Sequence, residues 1–196
     1  MRTRKFWGWG YEDELLTAEE ENNIDKRIAK TFELDSVERI EIPKIENVNL
    51  PDSSLKCPNS LKAIVSNDKL ERLNHSYGKS FPDSARSILG QFPAPPDFVA
   101  FPNSEEDITN ILDWASSNDI AVIPYGGGSS VCGGVETNVG DDYNGVISLD
   151  MKNLNSIIEI DRDSRTALIQ GGILGPDLEG QLLSLIHISE PTRRTS

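Results

Sequence analysis

Apolar residues follow helical spacing in some stretches of the chain and form short continuous runs in others. Ile24, Ile28 and Phe32 recur at i, i+4 and i+8, which predicts a helix with one apolar stripe. Before it, Thr17-Ala18-Glu19-Glu20 has the form of a capping box. The threonine accepts from the amide three residues on, and the glutamate reaches back. Leu50-Pro51-Asp52-Ser53-Ser54 reads as a loop. Asn59 or Ser60 is placed to cap a short helix with Leu61 and Ile64. Leu70 and Leu73 suit a second short helix, ended near Gly78.

Pro93-Ala94-Pro95-Pro96 separates this leading region from a differently patterned body, because three prolines in four residues neither continue a helix nor supply ladder donors. Asp97 to Phe101 predicts a strand. Ser104 then caps a helix with Asp107 three residues on, and Ile108, Ile111, Leu112 and Ala115 share one face with Trp114 beside it. Ile120 to Pro124 is the next strand, which completes a β-α-β unit. A glycine-rich loop, 126–134, follows. Further strands are predicted at Val146 to Leu149, Ile157 to Ile160 and Ala167 to Gln170, with a turn at Asp161 to Ser164. Gly175-Pro176-Asp177 opens a last helix carrying Leu178 and Leu182.

The length of 196 residues suits one domain with an extension, or two small domains. Basic side chains number 19 against 32 acidic ones, a net charge of −13. That balance argues against nucleic acid as a partner and against a polybasic membrane anchor. No apolar run approaches the ~20 residues of a membrane span, and no apolar signal segment follows Met1 to Lys5. Cys57 and Cys132 build no disulfide framework and read as reduced thiols of a cytoplasmic protein. No metal site is indicated.

Leu183 to Arg193 resembles the in-frame translation of a sequencing-library adapter. On that reading, residues 183–196 are a non-native tail, His187 and Glu190 are set aside as site residues, and the chain is the N-terminal part of a longer protein. The alternative is a helix that continues from Leu182 through Ile188 and stops at Pro191.

The chemistry concentrates in Pro124-Tyr125-Gly126-Gly127-Gly128-Ser129-Ser130-Val131-Cys132-Gly133-Gly134. Ordering a glycine costs roughly 0.5–1 kcal/mol more than ordering alanine. Five glycines in nine residues suit main-chain amides converging on an anion, although a mobile surface loop has the same composition. Two phosphate motifs fail here. Gly78-Lys79-Ser80 has Leu73 where a Walker loop needs glycine. Gly126 and Gly128 fit a dinucleotide fingerprint, but Val131 occupies its third glycine position and no helix opens there. What remains is strand, glycine cradle, turn, strand. A nicotinamide enzyme would need a helix directly after Gly128.

That order, with these residues, resembles the flavin-binding domain shared by vanillyl-alcohol oxidase and p-cresol methylhydroxylase, the PCMH type. Within it, the chain resembles alkyldihydroxyacetonephosphate synthase and bacterial FAD-linked oxidases. The resemblance rests on Trp7 to Tyr11, Tyr77 to Phe81, Pro96 to Pro102, Pro124 to Glu136, and Gly171 to Ile173 with Leu178 and Glu179. It implies an α+β fold: the first part of a two-subdomain FAD-binding domain over 93–182, behind a mostly helical and loop extension over 1–92. It also implies that Pro124, Tyr125, Gly126, Gly127, Gly128, Ser129, Ser130 and Val131 bind FAD. Ser129 stands where many relatives have a flavin-linking histidine, so the FAD is expected to be non-covalent. The implied parent is an FAD-dependent oxidoreductase of synthase-like ancestry. Alternatives are alkylglycerone-phosphate synthase proper, a D-lactate or glycolate-type oxidase, or an inert nucleotide-binding module. A small-molecule or lipid-like substrate and a homodimeric full-length form go with that family, and its catalytic residues fall downstream of Leu182. Arg86 and Lys79 read as a solvated face, with contacts near the flavin or with the missing downstream domain as the alternative. Cys132 reads as a small packing residue, with contact to the isoalloxazine side as the alternative, and His75 as a satisfied surface or helix-end residue.

Overall fold

The computed structural model describes residues 2–188, so Glu190, Pro191 and the rest of 189–196 lie outside the described residues. The architecture is α+β. The elements in chain order are α1 (Ala18–Phe32), β1 (Val65–Ser66), α2 (Lys69–Asn74), α3 (Phe81–Ile88), β2 (Phe98–Ala100), α4 (Glu105–Ser117), β3 (Ile120–Tyr125), β4 (Gly145–Asp150), β5 (Ile157–Asp161), β6 (Thr166–Ile169) and α5 (Gly175–Ile188).

Four strands form one sheet in the order β1-β2-β4-β3. β2, β4 and β3 are parallel, with Phe98 opposite Ile147 and Val122 opposite Ile147 on the other side. β1 is antiparallel at the edge, with Val65 opposite Ala100. β4 is thus inserted between the two strands of the β-α-β unit. Its near-continuous burial fits a parallel strand covered on both faces. Phe98, Ala100, Ile147 and Leu149 pack on Ile111 and Ala115 of α4, and Leu61 closes the cluster from the leading region. A second cluster joins Phe6, Val48, Leu73, Tyr77 and Phe92. The leading region therefore supplies a strand and core side chains.

Local signals explain most boundaries. Thr17 and Glu20 form the expected box on α1, and Ser104 accepts from the Asp107 amide on α4. On α4, however, Leu112 is exposed and Trp114 packs against the core instead. Residues 61–64 form successive turns rather than a helix, because β1 follows at once and pairs with β2. Helix α3 went unread in the pattern. Its signal is a second capping box, Ser80 with Asp83, and Pro82 in the first turn. The apolar stripe of α1 buries no residue.

β5 and β6 make a separate hairpin. Asp161 ties its turn by accepting from the Ser164 hydroxyl and the amides of Asp163 and Ser164. The Ser164 bonds hold the Asp161 carboxyl below its usual range. The chain returns from this hairpin at Gly172, whose amide donates to the Leu154 carbonyl at 2.9 Å. A Cβ there would run into the Met151 main-chain carbonyl.

Three substitutions test this packing in urea unfolding. Ile147→Ala, at a position with no solvent exposure, is expected to lower stability by about 2–5 kcal/mol. Gly172→Ala is expected to lower it by about 1–3 kcal/mol through forced backbone movement. Ile160→Ala, on the exposed hairpin, should stay within about 0.5 kcal/mol.

Candidate functional site

The carboxyl ends of β2, β4 and β3 point the same way, so Tyr125 and Asp150 end side by side. Crevices outside such strand ends are where open parallel sheets bind ligands. The glycine loop leaves β3 there, and no helix starts in it. Two of its carbonyls are occupied. The Arg4 Nη1 donates to the Gly127 carbonyl at 2.8 Å, and the Lys79 amide donates to the Ser130 carbonyl at 2.7 Å. The Ser130 hydroxyl accepts from the Gly134 amide at 2.9 Å. The amides of residues 126–132, in contrast, donate to no acceptor among the described residues.

Two glycines make this shape possible. Gly128 has φ +66°, and a Cβ there would fall on the Tyr125 phenol. At Gly78 a Cβ would meet the Ser130 carbonyl, so only glycine lets the Lys79 amide reach that oxygen. At Gly126, by contrast, a Cβ meets nothing within 4 Å.

The eight expected site residues divide by position. Gly126, Ser129 and Val131 are exposed at the loop surface, and Gly127 and Ser130 are half-buried. Pro124 is exposed on β3, a sheet-edge strand, where a missing donor is tolerated. The side chain of Tyr125 is buried beneath the loop, not exposed in it. Its hydroxyl donates to the Asn74 carbonyl at 3.0 Å, and burial pushes the phenol up to about 12.

Under Tyr125 lies His75, with ring centroids 4.2 Å apart. The residue is at a helix end, as expected, but it is buried rather than on the surface. Its Nδ1 is 2.7 Å from the Glu71 carbonyl, which can only accept, so Nδ1 holds a proton. Its Nε2 is 3.1 Å from Asp150 Oδ2. Asp150 Oδ1 accepts from the Lys152 amide at 2.9 Å. These bonds tie α2, β3 and β4 together directly below the loop. Sequence reasoning missed both the pair and Arg4, since each partner is remote along the chain.

Three expectations change here. Arg86 is not on a solvated face. Its guanidinium bonds Asp83 at 2.6 Å and Glu136 at 2.8 Å and covers the Tyr77 ring at 4.3 Å. It thereby cross-links α3 to the strand-side exit of the loop. Lys79 is half-buried, and its Nζ is 3.4 Å from the Lys5 carbonyl. Burial first, then the neighbouring Arg4, push its ammonium down to about 8. Cys132 does not pack. It is exposed, with Sγ 3.7 Å from the Ser130 hydroxyl. Burial raises the Cys57 thiol, which packs at the margin of the main core. Among the described residues, no helix is long and apolar enough to cross a membrane.

Comparison with known proteins gives this geometry a context. The FAD binding domain family matches residues 96–186. The chain is 37% identical over 140 residues to an alkyldihydroxyacetonephosphate synthase of Trypanosoma brucei brucei, an alignment covering 68% of this chain and 23% of that protein. It is 35% identical over 158 residues to the synthase of Dictyostelium discoideum, covering 78% and 25%. A solved alkyldihydroxyacetonephosphate synthase superposes with a TM-score of 0.77 at 28% identity, over 93% of this chain and 37% of that one. The chain thus spans about a quarter of the length of these curated relatives. Residues 96–186 thus match the FAD binding domain family, and the chain is similar to the alkyldihydroxyacetonephosphate synthases and to a glycolate oxidase subunit of Bacillus subtilis.

Proposed function

We propose that the loop from Pro124 to Val131 holds the diphosphate of FAD, and that the parent protein is an FAD-dependent enzyme of synthase-like ancestry. One observation supports this above the rest: the Gly127 and Ser130 carbonyls are taken by Arg4 and by the Lys79 amide, while the amides of 126–132 have no acceptor among the described residues. A peptide loop with that polarity presents a row of donors to an anion. A diphosphate has the matching acceptors, and the open space at Gly126 admits it to the main chain.

The residues present also suit a flavin held without a covalent bond. Ser129 offers a hydroxyl where a linking histidine would need a ring nitrogen. His75 is buried and both its nitrogens are engaged. Bound FAD supplies two-electron redox chemistry. The part of this chain is to bind and orient it. The Tyr125, His75 and Asp150 contacts fix the loop floor, so the donors are in place before the ligand arrives and less binding energy goes into ordering them. The synthases it resembles favour a lipid-like ester or alcohol as the parent's substrate over a small hydroxy acid.

FAD titration followed by flavin fluorescence, with riboflavin as the control, tests this reading. FAD is expected to bind and riboflavin to bind far more weakly. Gly126→Ala keeps the chain's own packing, so it is expected to leave the urea midpoint unchanged and weaken FAD binding about tenfold or more. Gly128→Ala is expected to lose both stability and binding. Equal affinity of wild type and Gly126→Ala for FAD would remove the loop from the site.

A further inference from the structure

The loop's free amides are accompanied by cations that have no carboxylate of their own. Among the described residues, Arg4, Lys5 and Lys79 form no ion pair, in a chain where acidic side chains outnumber basic ones by 32 to 19. Other basic groups near the loop are neutralised: Arg86 is taken by Asp83 and Glu136, and Lys152 lies 3.8 Å from Asp150. The Lys5 ammonium turns away, donating to the Glu14 carbonyl at 2.6 Å over the Trp7 ring. Arg4 and Lys79 remain at the loop. Arg4 is bonded to Gly127, and Lys79 follows the glycine that lets its amide reach Ser130.

Arg4 and Lys79 are both half-buried, and the Arg4 charge acts against the Lys79 ammonium. Lys79 shows the strain. Among the described residues its one acceptor is the Lys5 carbonyl at 3.4 Å. Arg4 opposes its charge, and Asp83 supports it from α3 while already paired with Arg86. An anion at a loop with free amides is the ligand that would relieve this repulsion.

We propose that Arg4 and Lys79 are the charged half of this site, supplying the counter-charge to the diphosphate that the loop amides grip. The proposal rests on the loop reading above and extends it to two residues outside residues 96–186. It makes the N-terminal segment, residues 2–11, part of the cofactor site. It also gives binding a signature, because a diphosphate beside Lys79 restores the ammonium. Both phosphates of FAD are esterified and hold their charge between pH 7 and 9. Uptake of a proton on binding therefore reports on the protein.

The test is calorimetric titration of FAD into the whole chain at pH 8, in buffers of different ionisation enthalpy. Wild type is expected to take up about half a proton, and its affinity is expected to fall about five- to tenfold from pH 7 to 9. Lys79→Met is expected to bind more weakly at pH 7 with no proton uptake. Lys79→Arg keeps the charge and is expected to bind with an affinity flat across that range. Arg4→Gln keeps a donor for the Gly127 carbonyl. It is expected to bind more weakly than wild type in low salt and to converge with it in high salt. Circular dichroism of each variant separates these effects from misfolding. FAD binding without proton uptake, or at unchanged affinity in Lys79→Met, overturns the proposal while leaving the loop reading in place. No preference for FAD over riboflavin overturns both.

Discussion

A glycine-rich loop has almost nothing of its own to hold its shape, so other parts of the chain must hold it. Here the loop after β3 is fastened by its oxygens. Arg4 takes the Gly127 carbonyl, the Lys79 amide takes the Ser130 carbonyl, and the Tyr125 phenol fills the space under Gly128. With those two carbonyls engaged, the loop still has amides without an acceptor among the described residues. The rest of the site depends on that polarity, because it turns a run of bare main chain into a fixed row of N–H groups.

The remainder of the fold reads as support for those fastenings. The parallel order of β2, β4 and β3 ends three strands at one level, which places Asp150 beside Tyr125 and lets His75 of the α2 end bridge beneath them. Arg72, next to that helix end, donates to the carbonyls of Pro96 and Pro51 and so anchors α2 to the start of the body. The buried Thr137 hydroxyl donates to the Ala94 carbonyl at 2.7 Å, pinning the chain where it leaves the loop. Each contact joins segments far apart in sequence. None of them adds a group to the loop surface itself.

Features that depend on neighbours in sequence were legible. Thr17 with Glu20 and Ser104 with Asp107 are three residues apart, and such caps form with little help from elsewhere. Ser80 with Asp83 carried the same mark. The strands of the body were legible because continuous apolar runs bounded by turns leave few other options. Residues 61–64 misled for the converse reason. Their apolar spacing is helical, but pairing of Val65 with Ala100 ends the segment after two turns. Trp114 and Leu112 exchanged places because pattern sets a stripe's width, whereas packing sets which of its margins is covered.

The sequence alone determined that a bare stretch of main chain follows a strand and leads without a helix into another, and this was enough to point to a flavin-binding family. The absence of a Cβ is a property of the residue and survives any fold. Tertiary structure alone decided which charges stand at that loop. Arg4 bonds a residue 123 positions away. Lys79 and Arg86 look alike as exposed bases on paper, yet among the described residues one has no carboxylate partner and the other has two. Ion pairing depends on distance and burial, which composition does not encode, so the bare main chain of the loop was readable in advance and the cations beside it were not.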